Sequence, residues 1–242
     1  MVIVIDPQIA GISGDMLLCS LVDLGADKNQ IVEGIKKIEK FLPDSKINKI
    51  DFQKIQKNGI ESTELILEID ENISERKGVE IKNAIINSVN ELQLSDKARS
   101  FAESCINSLI SSESKIHGIS EDSVHFHEAS SIDTLIDIVG VTIACEKLKF
   151  FEEKIVCLPV SVGSGTVSFS HGTMSNPASA VLQIFKNWAG ILWVFSSGFT
   201  SDHEADITGN VSCWLRVGRA KMRLGALDKG GAIRIENLLL NL

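Results

Sequence analysis

Apolar and polar residues recur along the chain with two distinct periods, and the changes of period divide it into elements. Val2 to Ile5 is a short apolar run closed by Asp6, the pattern of a buried strand, and a glycine-bearing turn leads from it into a helix over residues 16–24. Residues 27–41 carry Ile31, Ile35 and Ile38 at helical spacing, with Leu42 and Pro43 ending the segment. Between residues 46 and 70 the period shortens to two about Asn58-Gly59, which predicts an antiparallel hairpin with one dry and one wet face. Helical spacing returns over 80–92 and 96–115, and His117 near the end of the latter suits the helix dipole. Residues 132–144 read as an almost wholly apolar helix that Ser130 or Ser131 can cap. Residues 154–162 read as a buried strand, and 178–185 as a helix after Asn176-Pro177. Helical and alternating segments intersperse without strict strand-helix-strand repetition, so the expected fold class is α+β, two-layered, with helices packed on a mixed sheet.

Composition sharpens this picture. A chain of 242 residues, 44% of them hydrophobic, can bury a sizeable core. No apolar run reaches the length of a membrane span, and the N-terminus lacks the basic region and cleavage site of a signal peptide, so a cytoplasmic protein is expected. A net charge of -8 argues against nucleic acid and anionic membranes as partners and is compatible with collecting cations. Five cysteines, odd in number and without a Cys-x-x-Cys pair, read as reduced core thiols. Up to Lys186 the bases are 16 Lys and two Arg, Arg76 and Arg99; beyond it they are four Arg and two Lys, and all three tryptophans fall there. The expected organisation is therefore a domain over 1–186 and a compositionally divergent tail over 187–242, either a separate module or translation in a different reading frame.

Candidate chemistry centres on Val124-His125-Phe126-His127-Glu128. On an extended segment His125 and His127 share a face and can chelate one ion, and Glu128 joins them where the chain turns; the alternative is a pair of half-exposed histidines at a strand end. Asp133 and Asp137 follow one turn apart on the apolar helix. Asp133 complements the helix dipole, whereas Asp137, among isoleucine and valine, requires a partner: a metal-bound histidine that it orients, or a structural hydrogen bond. Gly11-Ile12-Ser13-Gly14-Asp15, between a strand and a helix N-terminus, suits an anion or a metal-bound phosphate, or is simply a capped helix start. Asp6 stands at the carboxyl end of its strand, where ligands commonly bind. Gly163-Ser164-Gly165 allows close backbone approach to a ligand, or marks a bulge. His171, between small residues in a loop, has little packing duty and reads as functional.

Taken together, Gly11-Ile12-Ser13-Gly14-Asp15-Met16, Val124-His125-Phe126-His127-Glu128 with Asp133 and Asp137-Ile138-Val139-Gly140, Gly163-Ser164-Gly165, Ser170-His171-Gly172 and Asn176-Pro177-Ala178 resemble the nickel insertion proteins of LarC type, in order and spacing, over roughly residues 1 to 185. The resemblance implies insertion of nickel into pyridinium-3,5-bisthiocarboxylic acid mononucleotide, a lyase-type reaction that consumes CTP with a divalent metal and forms the nickel-pincer cofactor of lactate racemase. The chemistry of nickel(II), read beside this resemblance, makes His125 and His127 the expected metal ligands with Glu128 or His171 as the third, Asp15, Asp137 and His171 the expected catalytic groups, and Asp6, Ser13, Gly14, Gly163, Ser164 and Gly165 the expected surroundings of the mononucleotide. The family continues through a Thr-Pro-Thr-Gly segment into a C-terminal nucleotide-binding domain, and Thr200 to Gly209 fits that pattern poorly. The expectation is an N-terminal portion that needs a separate C-terminal chain or domain, with homo-oligomers open. Two rival readings are a nickel-binding and delivery module without catalysis, and a metal-dependent phosphohydrolase.

Overall fold

The structure is a computed structural model that describes residues 2–8, 11–57, 60–127, 130–163, 165–169, 172–175, 177–186, 192–194, 212–217, 222–224 and 232–238. Its elements are, in order, β1 (Val2–Asp6), α1 (Gly14–Leu24), α2 (Lys28–Ile38), β2 (Ser45–Lys57), β3 (Ile60–Glu71), β4 (Arg76–Lys77), α3 (Gly78–Glu91), α4 (Asp96–His117), β5 (His125–Phe126), α5 (Ile132–Lys147), β6 (Lys154–Cys157), β7 (Val160–Val162), β8 (Thr166–Phe169), β9 (Gly172–Ser175), α6 (Ser179–Lys186), β10 (Leu192–Val194), β11 (Ser212–Val217), β12 (Met222–Leu224) and β13 (Ala232–Leu238). This is an α+β fold, as the mixture of periods predicts.

Local chemistry sets the helix boundaries. The Asp27 carboxylate accepts from the Asn29 and Gln30 N–H groups to open α2, the Ser95 hydroxyl accepts from Ala98 N–H to open α4, and Ser131 accepts from Asp133 N–H to open α5. Gly25 and Gly118 close α1 and α4 in the left-handed conformation that L side chains adopt only at a cost. At the C-terminal end of α4, His117 lies 3.3 Å from Glu113 one turn earlier.

Helix α5 is the central element. Ile132, Leu135, Ile136, Val139, Val141, Ile143 and Ala144 are all buried, because α1, α2, α3 and α4 pack around it. A helix apolar on every side is one surrounded by others, which explains the run of hydrophobic residues. A five-stranded mixed sheet, on which α1 packs, has the order β12-β11-β13-β1-β6, with β1 parallel to β6 and antiparallel to β13. The hairpin of β2 and β3 pairs from Ser45 opposite Glu71 to Lys57 opposite Ile60, with a register shift between Ile47 and Lys49, and it packs on α1 and α2.

Residues 154–162 depart from the expected single buried strand. The segment divides into β6 and β7 at Leu158-Pro159, since proline has no N–H to give to a ladder. Strand β6 is the edge of the five-stranded sheet and leaves Ile155 46% exposed, while β7 pairs in parallel with β10. The cysteines behave as read: Cys19, Cys105, Cys145 and Cys157 are free, and burial pushes the Cys145 thiol up to about 12 and Cys105 to about 11. Among the described residues no helix is long and apolar enough to cross a membrane.

Candidate functional site

The carboxyl ends of β1 and β6 face one side of the sheet, and the segments leaving them are stitched together. Leu158 N–H donates to the Ile5 carbonyl at 2.7 Å and Ser161 N–H to the Pro7 carbonyl at 3.2 Å, while the Ser161 hydroxyl donates to the Gln8 carbonyl. Gly11, at φ +75°, passes so close to β7 that a Cβ there would lie 2.8 Å from the Ser161 carbonyl oxygen. These contacts bring the loop bearing Asp6, Ser13, Gly14 and Asp15 beside β7, whose exit is Gly163 and Gly165. Gly165 has φ +106°, a conformation that glycine adopts freely. Asp6 accepts from Gln8 N–H at 3.2 Å, and its charge, after burial, raises the Cys157 thiol. Ser164 lies outside the described residues.

The N-terminus of α1 meets the second turn of α5. Asp15 accepts from Met16 N–H at 2.8 Å and from the Ser13 hydroxyl. Gly14 packs against Asp137 so closely that a Cβ at Gly14 would stand 2.3 Å from the Asp137 Cγ. Asp15 and Asp133 are both near enough for their charges to act on Asp137. Burial first, then the charges of Asp15 and Asp133, push the Asp137 carboxyl well above the usual carboxylate range. Burial is also the main cause raising Asp133, with the Glu71 charge adding to it against hydrogen bonds from Thr134 and Ser131.

A raised native pKa has a definite sign. The folded chain holds the Asp137 proton more tightly than the unfolded chain, so this group favours folding at low pH, and its contribution is lost as pH rises from about 4 toward the native value. Asp137→Asn is accordingly expected to melt above the parent at pH 7.5, on the order of 1 kcal/mol more stable, with the difference vanishing near pH 4. Thermal melts across that range check it; equal melting temperatures at both pH values would contradict the repulsion.

The two histidines bracket a buried aromatic ring. Strand β5 pairs with β4, placing Phe126 opposite Arg76 and His125 opposite Lys77. Phe126 is buried, His125 exposed and His127 half-buried; the strand is only two residues long and ends before His127, which lies in a bend. Glu75 lies 3.9 Å from His127 Nδ1. Glu128 and His171, the candidate third ligands, lie outside the described residues. Among the described residues no group of three or more His, Cys, Asp or Glu side chains is gathered tightly enough to hold a metal ion.

Sequence reading missed the network behind the histidines. Glu71 at the end of β3 and Arg76 in β4 form a 2.7 Å ion pair with side chains almost fully withdrawn from water. Glu71 also accepts from Ile132 N–H at 3.1 Å, at the first turn of α5, and from the Ser45 hydroxyl. Burial raises the Glu71 carboxyl, but hydrogen bonds from Ser131, Ser45, Arg76 and Ile132 outweigh it and hold the group below its ordinary value. The one available signal was an arginine in a lysine-rich stretch. A cavity of about 570 Å³ lies elsewhere, lined by Lys82, Ser108, Lys115, Glu121 and Gln183 among others, and includes none of the residues selected from sequence.

Comparison with known proteins adds to this geometry. A family profile described as nickel insertion protein matches residues 3–210. The pyridinium-3,5-bisthiocarboxylic acid mononucleotide nickel insertion protein of Staphylococcus saprophyticus is 35% identical over 178 residues, 74% of this chain and 43% of its own length. A provisionally named nickel insertion protein of Methanopyrus kandleri is 34% identical over 188 residues, 78% of this chain and 45% of its own. The chain thus spans less than half the length of these relatives. No solved structure matches.

Proposed function

The chain belongs to the nickel insertion protein family, and from that premise we propose that it carries nickel(II) as cargo on His125 and His127 and delivers it to pyridinium-3,5-bisthiocarboxylic acid mononucleotide. The observation that supports this reading is the exposed His125 and half-buried His127 on either side of the buried Phe126, a few residues before the helix whose first turns bear Asp133 and Asp137. Nickel(II) is well served by imidazole and carboxylate, and ligands of this kind can be surrendered to the acceptor's thiocarboxylates and carbon. Glu128 or His171 completes the ligand set. Asp137 orients an imidazole or, with Asp15, takes the proton released when a ring carbon bonds the metal; burial and then the charges of Asp15 and Asp133 raise the proton affinity of its carboxylate.

Electrostatics refine the substrate side. Asp15, Asp133 and Asp137 disfavour a bare phosphate and favour a positively charged group beside them, so the mononucleotide's phosphate is assigned to Gly163 and Gly165, and its pyridinium ring or the metal to the side of Ser13, Gly14 and Asp15. Residues 1–186 form the nickel-carrying part, and 187–242 a divergent tail. The product is the nickel-pincer cofactor used by lactate racemase and related enzymes. The CTP-consuming step, with its divalent metal, is assigned to the part of the relatives that these residues do not span, whether held in a separate chain or domain; the setting is the cytoplasm.

Titration of CTP into the purified chain tests this division. The chain is expected to bind nickel while showing neither CTP binding nor hydrolysis. Tight CTP binding with turnover would contradict it, and hydrolysis of p-nitrophenyl phosphate would favour a phosphohydrolase instead.

A further inference from the structure

We propose that Arg76 is the positioning residue of the nickel-carrying segment, holding it from both ends; the inference rests on His125 and His127 being the nickel ligands. The backbone of β4 pairs with β5 before the loop, and Gly78 N–H donates to the Val124 carbonyl at 2.8 Å. Beyond the loop, the Arg76 guanidinium reaches the other side: Nη1 donates to the Ser130 carbonyl as well as to Glu71, and Nη2 to the Ser45 hydroxyl. Ser130 in turn donates to the His127 carbonyl at 2.6 Å, and Glu71 fixes Ile132 N–H at 3.1 Å. The segment from His125 to the start of α5 is thereby gripped by one residue that is only 3% exposed.

The chemistry selects arginine for this task. A planar guanidinium offers donors in several fixed directions at once, whereas an ammonium is a compact point charge with freely rotating donors. Up to Lys186 the chain uses lysine almost everywhere, with 16 Lys against two Arg, and one of those two stands here. A network built only for stability has no need to end on the carbonyl that closes the histidine loop.

The test is nickel(II) titration of the full chain and of Arg76→Lys, Ile31→Val and His125→Ala/His127→Ala, with cobalt(II) absorption reporting ligand geometry and a thermal melt of each variant. Arg76→Lys is expected to bind nickel at least about tenfold more weakly, the scale seen when a residue that orients ligands is lost, and to change the cobalt d–d bands. Ile31→Val, in the core face of α2, is expected to lower the melting temperature yet leave nickel affinity unchanged. The inference is overturned if Arg76→Lys matches the parent in affinity and spectrum, or if Ile31→Val weakens nickel equally, since affinity would then follow stability alone. If Arg76→Lys is unfolded at the assay temperature, Glu71→Gln replaces it, expected to be several-fold weaker and overturning the inference if unchanged. Equal nickel binding by the parent and the double histidine variant is a separate result: it removes the ligand reading itself.

Discussion

Replacing His125 and His127 together with alanine is expected to weaken nickel(II) binding by at least about 100-fold while leaving the melting temperature within a degree or two of the parent. His125 is exposed and His127 half-buried, so their removal empties no part of the core; substitutions at such positions shift stability by about 0.5 kcal/mol or less. Affinity is a different matter, since borderline nickel depends on imidazole nitrogen and a chelate loses more than the sum of its parts when both donors go. Each single variant should retain part of the affinity. The titration belongs near pH 7.5, where free imidazoles with a pKa of about 6.5 are neutral and protons do not compete. Equal affinity in parent and double variant would make the two histidines ordinary surface residues.

Gly14→Ala is expected to be the most damaging single methyl group in the described chain. Its Cβ would stand 2.3 Å from the Asp137 Cγ and 2.5 Å from the Asp137 Cβ. Rotating the aspartate does not relieve the second contact, because that Cβ is fixed by the backbone of α5, so α1 and α5 must part. Overpacking of this kind costs about 1–3 kcal/mol, and parting the helices also withdraws Asp15 from Asp137. Gly140→Ala makes the natural comparison: its added Cβ meets Leu18 Cδ2 at 2.9 Å, the movable end of a side chain, and alanine is the better helix former by about 1 kcal/mol. Urea melts should therefore show a clear loss for Gly14→Ala and a much smaller change for Gly140→Ala. Equal effects would mean that the close approach of α1 to α5 is not what glycine serves at residue 14.

These expectations draw on features that the chain discloses unevenly. The hairpin was legible because apolar and polar residues tend to alternate over 47–55 and 65–70 on either side of Asn58-Gly59, and the described strands pair up to Lys57 opposite Ile60. The alternation of exposed His125, buried Phe126 and half-buried His127 was legible for the same reason, whereas the shortness of β5 was not, since it depends on a two-residue partner strand some fifty positions earlier. Asp137 was recognisable as a carboxylate in apolar company one turn from Asp133; that Gly14 and Asp15 are its neighbours follows from the approach of α1 to α5, which no local pattern encodes. The Arg76 network joins Ser45, Glu71 and Ser130 across three separate elements, and only an arginine among lysines hinted at it. Misreading 154–162 as one strand came from weighing its apolar run above Pro159.

The central claim, that this chain holds nickel in order to give it away, is tested most directly by following the metal itself. Nickel-loaded chain is mixed with excess pyridinium-3,5-bisthiocarboxylic acid mononucleotide, CTP with magnesium and the separately produced C-terminal part of a full-length relative, and the small-molecule fraction is weighed by mass spectrometry. The account predicts that nickel leaves the protein and appears on the mononucleotide, and that the His125→Ala/His127→Ala variant delivers none. Nickel that stays on the protein, with the mononucleotide unchanged in mass, would contradict it and make the chain a nickel store.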